Sequence, residues 1–188
     1  MKKAFLFFIL FSATSSLFAK DIVDGYLILS TNDTIKCKIK VPVSLEMFNK
    51  VSIIDSNGKT LTYKAQNQEI NGFGFIYENQ KYDYVTKRTD DYGSASFLMT
   101  KAVGRNLNLY YSYYFSTPYN GGASYRTDVY LLEDSQKRIV YVSGGVFSAY
   151  KKKIKNFLKD DPKLLQLFDK MVLSITDIPD FVKDANRW

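Results

Sequence analysis

The stretch Val51-Ser-Ile-Ile-Asp-Ser-Asn-Gly-Lys-Thr-Leu-Thr-Tyr63 decides the fold, because it contains one complete β-hairpin. Residues 51–54 and 60–63 are rich in the branched and aromatic side chains that favour strands. Asn57-Gly58 between them is a strong signal for a tight hairpin turn. A lone hairpin is only marginally stable in water, so this one is expected to belong to a larger antiparallel sheet.

Segments on both sides of this hairpin repeat the same arrangement of two strands around a polar turn. Working outward, the pairs are residues 25–29 with 34–41, 70–77 with 82–87, 96–103 with 107–115, and 127–132 with 138–142. Ten strands in consecutive hairpins predict mainly an antiparallel β meander, either a rolled sheet or a body of two sheets.

The hydrophobic period changes after Gly144-Gly145. Apolar residues then recur at helical spacing, and Asp161-Pro162 supplies an N-cap followed by proline in the first turn of a second helix. A third short helix is expected from Asp177. Two or three C-terminal helices, over about residues 146–188, therefore cap the β body. The predicted fold class is α+β, in a single domain over residues 20–188.

The N-terminus predicts export. Lys2-Lys3 precede an apolar run over residues 4–11 and a small, polar run that ends at Ala19. This is the layout of a secretory signal peptide over residues 1–19. The apolar run is shorter than the ~20 residues of a membrane-spanning helix, so no transmembrane segment is expected in the mature chain. The expected location is the periplasm, the cell surface or the medium.

The histidine and cysteine content limits the kinds of catalytic and metal site that the chain can form. The chain has no histidine, which excludes Ser-His-Asp and Cys-His catalysis and histidine metal sites. Its one cysteine, Cys37, alternates with lysines in a strand pattern, which places the thiol on the buried face as a small hydrophobic group. No catalytic residue, metal site or cofactor is predicted, and an enzyme is disfavoured.

Two strings match functional motifs only in part. Residues 71–77 resemble the base-stacking strand of cold-shock and RNA-recognition domains, but Asn71 stands where a basic residue is expected, and export argues against nucleic-acid binding. The pair Asp90-Asp91 leaves open a carboxylate-dependent hydrolase that acts on cell-wall or polysaccharide material. Such an enzyme needs two acids that face each other across a cleft.

The aromatic run over residues 110–115, with the Gly-rich loop that follows it, is the candidate functional feature. Both faces of this strand are aromatic, and long loops on rigid scaffolds often bind ligands. Rings with polar tips stack on sugars and pack well at protein interfaces. A strand covered by the helices on one side and by its own loop on the other is the alternative. The candidate binding residues are Tyr111, Tyr113, Tyr114, Tyr119 and Tyr125.

The charge balance adds one further expectation. The net charge of +7 falls to +5 when Lys2 and Lys3 leave with the signal peptide. A basic exported chain can make peripheral contact with an anionic envelope surface. Lys151, Lys152 and Lys153, together with Lys155 and Lys159, either touch anionic lipid or form a solvated helix surface.

The order of these segments resembles a loose group of uncharacterised exported proteins of Gram-negative bacteria. The likeness lies in residues 25–29, 32–39, 69–73 and 157–162. The N-terminal hairpin of that group reads G-D-T-I-x-G-x-I, and here Asn32 and Cys37 replace the glycines. The resemblance implies a periplasmic or surface location and carries no activity, substrate or site residue.

Together these observations favour an exported, non-enzymatic envelope protein that binds a glycan or another envelope protein through the aromatic strand and loop. The carboxylate-dependent hydrolase is one alternative. A structural or assembly subunit of the envelope, which predicts a large apolar patch, is the other.

Overall fold

The computed structural model describes residues 21–42, 45, 49–88, 94–117, 121–143 and 149–187, apart from the side chains of Tyr114 and Ser116. The proposed signal peptide and the pair Asp90-Asp91 lie outside these residues, so both stay predictions. The strands are β1 (Ile22–Leu29), β2 (Thr34–Lys40), β3 (Lys50–Ile54), β4 (Thr60–Lys64), β5 (Ile70–Tyr77), β6 (Gln80–Arg88), β7 (Ala95–Ala102), β8 (Leu107–Ser116), β9 (Tyr125–Asp134) and β10 (Ile139–Ser143). The helices are α1 (Tyr150–Phe157), α2 (Pro162–Met171) and α3 (Ile178–Ala185).

The predicted α+β class, mainly antiparallel sheet with C-terminal helices, is confirmed. All five predicted hairpins form, and their strands join one unclosed sheet in the order β10-β9-β8-β7-β6-β5-β1-β2-β3-β4. The order departs from a simple meander at one point, because β5 pairs with β1 and not with β4. Apolar packing accounts for this pairing, since Leu27 lies opposite Phe73 and both side chains are fully buried.

Strand alternation gives the sheet two faces. The core face carries Leu27, Phe73 and Leu109, and the face on the other side of the sheet is called the opposite face below. On the core face, one apolar cluster lies over the N-terminal strands and a second lies beneath the helices. Cys37 packs against the first cluster, as its alternation with lysines predicted. Burial raises the pKa of its thiol.

The helices pack on the core face of the C-terminal strands. Asp161 caps α2 as predicted, since its carboxylate accepts a 3.0 Å hydrogen bond from the Leu164 amide, and Pro162 follows in the first turn. Phe168 of α2 and Phe181 of α3 meet edge to face, with ring centroids 5.4 Å apart. None of the helices in the described residues is both long and apolar enough to cross a membrane.

Candidate functional site

Strand β8 carries the candidate site because it extends beyond the helices that cover its first half. Leu107 and Leu109 are buried beneath the helices, and Tyr111 is still only 5% exposed. Two residues further on, Tyr113 is half-buried, and Phe115 is 62% exposed. The core face of β8 thus changes from protein core to accessible aromatic surface within a few residues.

The register of the β8–β9 hairpin places polar and charged side chains beside these rings. Phe115 lies opposite Arg126, and Tyr113 lies opposite Asp128. Directly opposed residues of an antiparallel pair share a face, so all four belong to the core face with Tyr111.

Hydrogen bonds and ring contacts tie these side chains together. The Tyr111 hydroxyl donates to Asp128 Oδ1 at 2.8 Å, and Arg126 Nη2 donates to the same hydroxyl. Arg126 Nε lies 3.0 Å from Asp128 Oδ1. The guanidinium carbon of Arg126 is 4.2 Å from the centroid of the Tyr113 ring, which meets the Phe115 ring edge to face at 5.4 Å. These five residues, Tyr111, Tyr113, Phe115, Arg126 and Asp128, form what we call the aromatic site.

A second cation lies next to this group. The ladder between β7 and β8 shifts register between Thr100 and Ala102, and Lys101 at this irregularity holds its ammonium 5.0 Å from the centroid of the Tyr111 ring. On the neighbouring strand β9, the ring centroid of Tyr130 lies 5.4 Å from that of Tyr111. Burial raises the pKa of Tyr130, with a smaller contribution from the Asp128 charge. Two cations and one carboxylate give the surroundings a net positive charge.

The five tyrosines that the sequence analysis named as candidate binding residues do not all lie in one place. Tyr111 and Tyr113 come together in the aromatic site. Tyr125 is 57% exposed, but it pairs with Ser116 and so lies on the opposite face. Tyr114 pairs through its backbone with Thr127, and Tyr119 lies outside the described residues. The helices cover only the first half of β8, so the alternative of a fully covered strand does not describe Phe115.

Sequence reasoning missed Arg126 and Asp128, and it included Phe115 in the aromatic run without naming it as a candidate binding residue. Alternation within β8 could have added Phe115, since it continues the series from Tyr111. The two charged residues could not be placed beside the rings, because the loop between β8 and β9 does not fix the register of the strands by its length alone.

A buried carboxylate on the opposite face was also missed. Glu133 was expected in a turn, but β9 runs through Asp134 and leaves Glu133 only 2% exposed. Lys87 Nζ lies 2.7 Å from Oε1, while the Tyr110 hydroxyl and Asn108 Nδ2 donate to Oε2 at 2.7 and 3.2 Å. Burial alone would raise the pKa of Glu133, but these three donors outweigh it and lower the pKa. Glu133 is therefore a fixed anion that ties β6, β8 and β9 together.

A small cavity lies between the β9–β10 turn and the helices. Its volume is about 170 Å³, below the range of roughly 300–1,000 Å³ typical of small-molecule sites. Arg138, which lines this cavity, forms ion pairs with two carboxylates. Its Nε lies 2.6 Å from Asp134 Oδ2, and its Nη1 lies 3.0 Å from Asp160 Oδ2. This arrangement joins the sheet to the helices and leaves the aromatic site as the stronger binding candidate.

In the part of the chain that the structure describes, no group of three or more Cys, Asp or Glu side chains is placed to hold a metal ion. No protein-family model, curated protein or solved structure matches the chain. The resemblance to exported Gram-negative proteins accordingly stays a prediction, and the aromatic site is interpreted from its own chemistry.

Proposed function

We propose that this chain is an exported envelope protein that binds a glycan through the aromatic site. The observation that carries the proposal is the exposed ring of Phe115 next to the Arg126–Asp128 ion pair. A sugar ring presents C–H faces that pack on aromatic rings, and hydroxyl groups that need both donors and acceptors. The guanidinium supplies donors and the carboxylate supplies acceptors.

The site is accessible and ordered at the same time. The side chains of Arg126 and Asp128 are 42% and 43% exposed, so a ligand can reach them. Their hydrogen bonds with the buried Tyr111 hydroxyl hold both groups in one geometry before binding. Less conformational entropy is then lost when a ligand binds, which favours affinity.

A protein partner is the second candidate for the same surface. Aromatic residues and arginine are enriched at protein interfaces, and Phe115 is an exposed apolar ring beside an arginine. We favour the glycan because a single sugar ring that stacks on Phe115 could also place its hydroxyl groups near the Arg126–Asp128 pair.

The test is a thermal-shift screen against envelope glycans and polysaccharides. A ligand at about a hundred times its dissociation constant adds roughly 2.7 kcal/mol to stability, which is readily detected. Phe115→Ala is expected to abolish the shift. Tyr125→Ala is the matched control, because Tyr125 is similarly exposed on the neighbouring rung of the same hairpin but on the opposite face.

The outcomes separate the candidates. A shift that Phe115→Ala and Asp128→Asn remove, and that Tyr125→Ala keeps, supports sugar binding at the aromatic site. A shift lost only in Tyr125→Ala would assign the ligand to the opposite face. If no glycan shifts the melting temperature, the glycan proposal fails for the panel, and affinity capture with Phe115→Ala as the negative bait tests the protein partner.

A further inference from the structure

A second surface lies at the other end of the sheet, on the opposite face of β2, β3 and β4. Alternation along β2 directs Cys37 and Ile39 to the core face and the lysines between them to the opposite face. Neighbouring strands add further lysines to this face. The five residues, which we call the lysine face, are Lys36, Lys38, Lys40, Lys50 and Lys64.

The strand register brings these charges close together. Lys50 lies directly opposite Lys64. Lys40 lies opposite Ser52, two residues from Lys50, which makes Lys40 and Lys50 diagonal neighbours. Residues related in these ways have Cβ atoms about 5–8 Å apart. Like charges directly opposite each other destabilise a sheet, so the folded structure itself gains nothing from the Lys50–Lys64 pair.

Few of these charges are neutralised by the protein. Lys38 Nζ lies 3.0 Å from Asp24 Oδ1, and Lys40 Nζ donates to the Thr60 hydroxyl at 3.0 Å. No carboxylate of the described residues forms an ion pair with Lys36, Lys50 or Lys64, all of which are exposed. Among the described residues only Asp24 balances part of this concentrated positive charge, which indicates an anionic partner.

We propose that the lysine face docks onto the surface of an anionic phospholipid membrane. All five cations are lysines, which act as flexible point charges, whereas arginine forks recognise one phosphate or carboxylate in a fixed geometry. Ser52, Thr60 and Thr62 lie among them and add hydroxyl donors for headgroup oxygens. The lysines project from an exposed sheet surface, and such a surface matches a layer of headgroups better than it matches a single bound molecule.

This proposal is independent of the glycan function, because the lysine face and the aromatic site lie at different ends of the sheet order and on different faces. It also places the membrane contact away from the helix lysines that the sequence indicated. Lys155 of α1 is already paired with Asp169 of α2 at 2.8 Å.

The test is cosedimentation of the purified chain with vesicles of phosphatidylcholine alone and of an equal mixture with phosphatidylglycerol. A first variant changes four residues of the lysine face to glutamine, namely Lys36, Lys40, Lys50 and Lys64. The matched control changes four exposed lysines of the helical C-terminal part to glutamine and so removes the same net charge, namely Lys152, Lys153 and Lys163 of the helices and Lys159 of the turn between α1 and α2. The melting temperature of each variant is measured first, and the sheet variant is expected to keep or raise it, because the Lys50–Lys64 repulsion is gone.

The unaltered chain is expected to bind the mixed vesicles and not the neutral ones, with binding that weakens as salt rises. Each lysine near such a membrane contributes roughly a fivefold factor, so the sheet variant should bind several hundredfold more weakly than the control. Equal loss in both variants, or no binding to mixed vesicles, overturns the proposal. It is also overturned if heparin at an equal concentration of anionic groups strips the chain from the vesicles, since a soluble polyanion is then the preferred ligand.

Discussion

The side-chain amide of Asn186 pairs with the backbone of Leu107 in the way that a neighbouring strand would. Asn186 Oδ1 accepts a 2.9 Å hydrogen bond from the Leu107 amide, and Asn186 Nδ2 donates to the Leu107 carbonyl at 2.8 Å. The Asn106 amide donates to the same Oδ1 at 3.1 Å. One side chain just after α3 therefore fixes the start of β8, the strand that carries the aromatic site.

Asn186→Ala should destabilise the protein by about 2–3 kcal/mol, because it leaves the amides of Asn106 and Leu107 without their partner at a half-buried position. Urea denaturation measures the change. Asn67→Ala is the control, since Asn67 is exposed and the one hydrogen bond of its side chain to the described residues is a long 3.4 Å contact with Glu69. A loss no larger than that of the control would show that the Asn186 bonds contribute little to stability.

Gly104→Ala should act through the same contact. A Cβ atom at Gly104 would overlap the side-chain amide of Asn186, so this amide must move and its bonds to Leu107 weaken. We expect a loss of roughly 1–3 kcal/mol in the unaltered chain and a clearly smaller loss in the Asn186→Ala background. A double-mutant cycle by urea denaturation measures the coupling. Additive losses would mean that Gly104 and Asn186 do not act together.

Glu133→Gln should remove part of the pH dependence of stability. The pKa of Glu133 is lowered from its usual 4.5, so the ionised form contributes stability that is present above about pH 4.5 and is lost as the pH falls through the folded-state pKa. The variant should be about 2–3 kcal/mol less stable at neutral pH, because Lys87 loses its charged partner, and the difference should narrow in acid.

Melting temperatures across this pH range test the Glu133 prediction. Glu69→Gln is the control, because Glu69 is an exposed glutamate. A deficit for Glu133→Gln that stays constant down to strongly acid pH would contradict the role given to the carboxylate charge.

Tyr111→Phe should disorder the aromatic site while leaving the fold intact. The hydroxyl group is the common partner of Arg126 and Asp128, so its loss is expected to cost about 1–2 kcal/mol of stability. Affinity for any glycan found in the screen should fall by more than the tenfold that 1.4 kcal/mol represents. Tyr125→Phe, on the opposite face, should change neither quantity. Calorimetric titration that shows equal affinity for both variants would argue against a positioning role for Tyr111.

Cys37 should react slowly with alkylating reagents in the folded protein. Burial raises the pKa of the thiol, and the thiolate is the reactive form. Mass spectrometry after iodoacetamide treatment should show slow labelling in buffer and fast labelling in urea. Thr62→Cys in a Cys37→Ala background is the fast-reacting comparison, because Thr62 is exposed on β4. Equal rates at the two positions would place Cys37 in solvent.

The local sequence pattern was sufficient to predict the strands, turns and helices of this fold. Asn57-Gly58 predicted a turn that the structure places between β3 and β4, and Asp161-Pro162 predicted the start of α2. Cys37 was assigned to the core face from its neighbours alone. Each of these features depends on residues a few positions apart, whose φ/ψ preferences and side-chain alternation operate before any tertiary contact forms.

The candidate site could be predicted only in part. Tyr111 and Tyr113 were found because an aromatic run is visible in the sequence. Arg126 and Asp128 were not found, because the register of the β8–β9 hairpin places them beside the rings. The burial of Glu133 likewise depends on Lys87, which lies 46 positions away in the chain and makes the carboxylate tolerable inside the protein.

By itself, the sequence determined the ten strands, their joining in hairpins, the helical C-terminus and the side of β2 that faces the core. Only the tertiary structure decided that β5 lies beside β1, that the helices stop short of Phe115, and that the lysines of three strands share one surface. The physical reason is that alternation fixes the direction of a side chain, whereas its neighbours on other strands follow from the packing and register of the whole sheet.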